Sequence, residues 1–164
     1  MAGQIDMFLK LDDVKGEAQD KTHKDEIDVL AWSWGMSQSG TMHIGGGGGG
    51  GKVAVQDLSL TKYVDKSSPT LMAYCSQGNQ FKTGKLTVRK SGGKEPLEYL
   101  IITMKEVIVT ALSTGGSGSE DRLTENVTLN FAQVQVDYQP QKQDGSKDGG
   151  PVKYGWNIAQ NVKL

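Results

Sequence analysis

Residues Glu125 to Gln139 read ENVTLNFAQVQVDYQ. Val127, Leu129 and Phe131 alternate with Thr128, Asn130 and Ala132, the period of two expected of a strand with one buried face. Val134, Val136 and Tyr138 then continue on the opposite parity. A strand that changes its buried face midway needs a bulge or bend, placed here near Ala132 and Gln133.

Outward from this segment the same signals recur. Strands are expected over Ile5 to Leu11, Glu26 to Ser37, Val53 to Val64, Gly84 to Lys90, Leu97 to Leu112 and Val152 to Val162. The connections between them are rich in Gly, Ser and Asp: Ser91 to Pro96 reads as a hairpin loop, and Ser113 to Arg122 and Lys142 to Pro151 as polar loops. Seven or eight strands so joined predict an all-β sandwich or barrel in a single domain, residues 1–164. One helix is expected, from about Pro69 to Gln77, plugging an end of the barrel. Ser67 or Ser68 is its N-cap, Pro69 opens it and Gly78 closes it.

Composition narrows the function. Basic residues number 18 against 19 acidic ones, for a net charge of −1. Only Arg89 and Arg122 are arginines, so the composition does not suggest a nucleic-acid binder. The lone Cys75 forms no intramolecular disulfide and, with only His23 and His43 as further soft ligands, builds no zinc site. It reads as a small buried hydrophobe. No cofactor is expected. The segment MAGQIDMFLKLDD lacks the basic and apolar regions of a signal peptide, and no window approaches the roughly 18 apolar residues of a membrane span. The expectation is a protein made and folded in the cytoplasm that leaves the cell, if at all, outside the general secretory route.

The run Gly45 to Gly51 before Lys52 contains G-x-x-x-x-G-K, from Gly46 to Lys52. A phosphate-binding loop needs Ser or Thr next, to hold Mg²⁺, and then a helix whose N–H groups face the phosphate. Val53 and a strand pattern follow instead. The run reads as a chain of little conformational restraint, expected to be mobile in an isolated copy and ordered against a neighbouring molecule.

Catalytic patterns are thin. His23 reads as a solvated loop or strand-edge histidine, and His43 flanks the glycine run. Glu120, Asp121 and Glu125 offer paired carboxylates, although a charged loop is more often a solvated face. In AWSWGM, Trp32 and Trp34 share a strand face with Leu30 and Met36, leaving Ala31, Ser33 and Gly35 on the other. Two tryptophans anchoring the core leave that opposite face small and weakly polar, suited to the wall of a channel.

Four stretches together, EIDVLAWSWGMSQSGTMHIGGGGGGGK, LTKYVDKSSPTLM, LSTGGSGSEDRLTENVTLNFAQVQVDYQPQ and DGGPVKYGWNIAQN, resemble the haemolysin-coregulated protein (Hcp) family of type VI secretion systems. The resemblance runs from Ile5 to Val162. It implies a phage tail-tube-like barrel of two β-sheets with one short α-helix. It implies six copies in a ring, rings stacked into a hollow tube, a contractile sheath around it, a spike protein at its tip and effector cargo inside. No membrane insertion, nucleic acid or enzymatic activity is implied, and secretion proceeds through the type VI system. Because the chain ends at Leu164, a form extended by a C-terminal toxin is not expected.

The same resemblance makes Thr41, Met42, His43, Ile44, Gly45, Gly46, Gly47, Gly48, Gly49, Gly50, Gly51 and Lys52 a loop reaching neighbouring copies within the ring and in the next ring. Seven glycines are expected to soften ring-to-ring contacts and favour isolated hexamers in dilute solution. Ser33, with Ala31, is nominated to face the lumen. Two other classes stay open on the residues alone: a monomeric β-barrel ligand binder with the glycine arm as lid, and an enzyme using the acidic loop around Glu120.

Overall fold

In a computed structural model, residues 5–46, 49–90 and 95–164 are described, and the reversal of parity is where the long strands bend. In chain order the elements are β1 (Ile5–Leu11), β2 (Ile27–Ser33), β3 (Met36–Ser37), β4 (Ala54–Val55), β5 (Leu58–Tyr63), α1 (Ser68–Gln77), β6 (Gln80–Lys90), β7 (Leu97–Gly115), β8 (Thr124–Tyr138), β9 (Val152–Asn157) and β10 (Val162–Lys163). Six strands in the order β8-β5-β2-β1-β6-β7 close on themselves through a β7–β8 pairing, and β9 and β10 extend from β8. The fold is thus a closed antiparallel barrel with added strands and one short helix, in agreement with the sequence expectation.

On β8, Val127, Leu129 and Phe131 are buried, and then Val134 is. On β7, Ile102 and Met104 are buried, and then Val107 and Val109. The two strands stay paired through the switch, Lys105 opposite Gln133 and Val107 opposite Phe131. Glu106, between them, sits in the left-handed region at φ 55°. A left-handed non-glycine residue carries a local cost of about 1–2 kcal/mol, which burial on both sides of the bend offsets. The bend lets β8 pair with β5 through Thr124–Leu129 and with β9 through Gln133–Tyr138.

Several expected strands are split. Val53 to Val64 breaks at Gln56 and Asp57, where the Gln56 N–H donates to the Gly35 carbonyl at 2.9 Å and Asp57 accepts from Thr110 and Asn130. Glu26 to Ser37 breaks after Ser33, so Met36 and Ser37 pair with Val55 and Ala54 in a separate two-stranded ladder. Val152 to Val162 is a hairpin of β9 and β10. Conversely β6 begins at Gln80, earlier than expected, because the left-handed Gly78 turns the chain directly out of α1. A bulge between Val29 and Ala31 also rotates Leu30 outward. Trp32 and Trp34 do pack against the core, but Leu30 and Met36 do not share their environment and are exposed. The hairpin loop expected at Ser91 to Pro96 lies largely outside the described residues.

Helix α1 runs one residue longer than expected and seats Leu71 in the core, with Tyr74 stacked on Phe81 at 4.1 Å. Cys75 is half-buried against the same core rather than enclosed by it. Ser67 occupies the N-cap but makes no side-chain cap bond; its hydroxyl donates to Asp65. Ser68 instead joins a buried ionic cluster. Lys62 and Glu125 are directly opposite on β5 and β8, and both are fully buried. The Lys62 ammonium donates to Glu125 at 2.5 Å and to the Tyr63 carbonyl at 2.8 Å, and lies 3.1 Å from Asp65. The Ser68 hydroxyl donates to Glu125. An isolated charge at this depth would cost several kcal/mol, so the cluster stands only with its partners complete.

His23 is a correction. It is not solvated: it is 6% exposed, stacked on Phe8 at 4.5 Å, with ring nitrogens 2.7 Å from Glu26 and 2.6 Å from Glu98. The connector from 12 to 26 folds over the outer face of β1 and β6 and covers Phe8 and Arg89. Its close crossing of β2 requires glycine at Gly16, where a Cβ would lie 2.4 Å from the Glu26 carbonyl oxygen. Arg89 donates to Asp20 and Asp6.

Two outcomes are expected in urea unfolding. Glu125→Ala should destabilise by about 3–5 kcal/mol, because Lys62 is left buried and unpaired, whereas Lys62→Met with Glu125→Leu should recover much of that loss. The Arg89 guanidinium, the largest influence on Asp20, holds its carboxyl below the ordinary 3.8, against the opposing effect of burial. A depressed folded pKa adds stability above the unfolded value that disappears as pH falls below it. Asp20→Asn should therefore cost about 1.5–3 kcal/mol at neutral pH, and the difference from wild type should shrink steadily below pH 3.8.

Candidate assembly surfaces

The segment from Met36 to Val55 leaves the barrel as a hairpin. Its root is the ladder Met36 opposite Val55 and Ser37 opposite Ala54. Beyond it Gly40 bridges Gly50. The Thr41 hydroxyl donates to the Gly49 carbonyl at 2.7 Å and accepts from the Gly49 N–H at 3.2 Å, and the Ile44 N–H donates to the Thr41 carbonyl at 3.0 Å. At these residues one threonine side chain links the two rails of the arm. Gly47 and Gly48, nominated with this arm, lie outside the described residues.

The arm carries its apolar groups outward. Met42 is 80% exposed and Ile44 57% exposed, and His43 and Lys52 are exposed as well. A Cβ added at Gly40, Gly45, Gly46 or Gly49 meets nothing within 4 Å, and of these only Gly46 has a positive φ, +86°. Nothing inside this chain therefore demands glycine at Gly40, Gly45 or Gly49.

A second surface lies on the barrel wall. Ala31 and Ser33 both point away from the core and are exposed. Pairing extends them into two rows across four strands: Ala31, Thr61, Asn126 and Ser113, then Ser33, Ser59, Thr128 and Ala111. All eight side chains are small, and none is charged. Thr61 donates to Asn126 at 2.8 Å. The outer face of β1, β6 and β7 differs, since there Lys10 stands directly opposite Lys85 and Lys105 is exposed.

Two depressions mark the outside. One, of about 260 Å³, lies at the root of the arm, between Gln38, Gly51 and Val53 on one side and Tyr154, Trp156 and Asn161 on the other. Burial pushes the Tyr154 phenol above its ordinary pKa, and its hydroxyl lies 3.9 Å from Met36 sulfur. The other, about 1100 Å³, runs past Glu98, Asp137 and Asp144 near the loop before β9.

The carboxylates read together in the sequence do not meet as a site. Glu120 and Asp121 are exposed on their loop, while Glu125 is enclosed in the ion pair with Lys62. His43 sits on the arm, remote from His23 in its buried pocket. Among the described residues no group of three His, Cys, Asp or Glu is placed to hold a metal, and no helix is long and apolar enough to cross a membrane. The Lys62–Glu125 pair, the His23 bridge and the cleft at the arm root escaped the sequence reading, because each joins residues far apart in the chain. The one available signal for the first was a lysine in the otherwise apolar-alternating LSLTKYV.

The fold is a small closed β-barrel that carries a projecting hairpin and, on its outer face, two rows of small uncharged side chains. Over residues 8–138 it matches the family described as type VI secretion system effector, Hcp. The chain belongs to the Hcp family. It is 74% identical over 159 residues to the protein hcp1 of Pseudomonas aeruginosa, covering 97% of this chain and 98% of that protein. It is similar in structure to a protein described as a type six secretion system protein, at TM-score 0.91 and 32% identity, over 98% of this chain and 100% of the other. It is also similar to Hcp1 from Salmonella typhimurium, at TM-score 0.80 and 37% identity, over 98% and 99% of the two chains.

Proposed function

We propose that this chain is the tube subunit of a type VI secretion system, with six copies closing a ring and rings stacking into a hollow tube. Effector proteins travel in the lumen, a spike protein caps the tube and a contractile sheath surrounds it. The protein then leaves the cell through that system. The observation that carries this reading is the two-row wall of Ala, Ser, Thr and Asn across β2, β5, β8 and β7. Two rows with no charge and no bulky group among their eight side chains let varied cargo pass without a strong hold, whereas the lysine-bearing face opposite suits an exterior. Ala31 and Ser33 lie in this wall and are the proposed lumen contacts, and Thr41 to Lys52 is the proposed contact between copies. Ring closure also covers exposed strand edges.

The ligand-binding alternative is not favoured. The barrel interior is filled by side chains including Leu58, Phe81, Met104 and Leu129, and the arm's apolar tip points to solvent instead of closing over the barrel.

Light scattering after size exclusion tests the ring directly. The expected mass is six times 17.7 kDa; a particle of one or two chains would overturn it. Ser33→Gln should leave that mass unchanged and lower cargo co-purification several-fold, by placing a long polar side chain on the wall. Undiminished co-purification from an intact ring removes Ser33 from the lumen contacts.

A further inference from the structure

We propose that Asp57 gives the lumen a charge preference: in the ring, its six copies form a band of carboxylates that favours cargo presenting basic segments and turns acidic segments away. This deepens the tube reading above and rests on it.

Asp57 directly precedes Leu58, the first residue of β5, which stands opposite Leu129 on β8. Its half-buried carboxylate accepts from two neutral donors, the Asn130 amide at 2.7 Å and the Thr110 hydroxyl at 2.9 Å. Asn130 continues the solvent-facing parity of Asn126 and Thr128 along β8, and Thr110 occupies the bulge just before Ala111 on β7. Asp57 therefore borders the row of Ser33, Ser59, Thr128 and Ala111, on the same face of the barrel.

The carboxylate is fixed but not neutralised. Among the described residues no lysine, arginine or histidine lies within ion-pairing distance of it. Hydrogen bonds from an amide and a hydroxyl hold its direction, and each oxygen keeps lone-pair capacity for an incoming cation. The eight side chains of the adjoining rows carry no charge, so those rows do not cancel its field. One carboxylate on an open surface is screened within about 8–10 Å at ordinary salt. Six that face one enclosed lumen reinforce one another, because a cavity lined by one sign of charge focuses the field. The uncharged rows then let cargo slide, and the band sorts it by charge.

The test uses two short fluorescent peptides of equal length, one alternating Lys with Ser and the other Glu with Ser, titrated with purified protein and read by anisotropy. Asp57→Asn rings should bind the basic peptide about fivefold more weakly than wild-type rings. The acidic peptide should bind neither, and the difference should vanish in about 1 M salt, where the screening length is about 3 Å. Asp148→Asn, which removes the same charge from an exposed position on the loop before β9, should bind like wild type. Ser59→Lys, which sets a cation beside Asp57 on the wall, should lose the preference as Asp57→Asn does. A merely structural role for Asp57 would alter stability without distinguishing the two peptides. Intact Asp57→Asn or Ser59→Lys rings that bind the basic peptide no more weakly than Asp148→Asn rings overturn the band and leave the ring standing. A wild-type particle with the mass of one chain removes the ring reading and the band with it.

Discussion

Strands β7 and β8 are too long to keep one buried face, and the way they change face shapes the molecule. At Lys105–Glu106 and Ala132–Gln133 both strands turn over together while staying paired. Had only one turned, its apolar set beyond the bend would have moved to solvent, since a one-residue slip reverses every side chain. The coordinated turn lets a single strand serve β5 near its start and β9 near its end. The barrel can close and still carry an extra hairpin beside it.

Closure brings the start of the helix against the barrel end, and there the structure accepts a buried charge pair. Lys62 and Glu125 face inward at positions where the alternation of β5 and β8 calls for apolar residues. Ser68 and Asp65 complete the set from the turn before α1. A hydrophobic pair would pack there at no electrostatic cost, but it would not tie β5, β8 and the helix turn to one register. Arg89, Asp20 and His23 play the comparable role for the connector from 12 to 26, fastening it over β1 and β6.

With the interior filled, what distinguishes the molecule lies outside. One wall is small and uncharged, another bears opposed lysines, and a glycine-rich hairpin holds two apolar side chains away from the body. These are features of a component that meets other molecules over broad surfaces. They are consistent with membership of the Hcp family, and they are the features on which the proposed tube reading rests.

Local chemistry made part of this legible in the amino-acid sequence alone. The period of two in Glu125 to Gln139, its reversal at Ala132, the Pro69-to-Gly78 helix and the outward parity of Ala31 and Ser33 all follow from backbone geometry over a few residues. The missing Ser or Thr after Lys52 disposed of the phosphate loop in the same way. The splits at Asp57 and Ser33, the outward turn of Leu30 and the burial of His23 were decided elsewhere. Each depends on a partner remote in sequence: Thr110 and Asn130 for Asp57, β5 for the bulge at Leu30, and Phe8 and Glu98 for His23. The sequence by itself determined the period, caps and turns, because these are settled between near neighbours. Only the tertiary structure decided which polar groups are buried and what the outer surfaces offer, because a lysine is affordable inside only where another strand delivers its carboxylate.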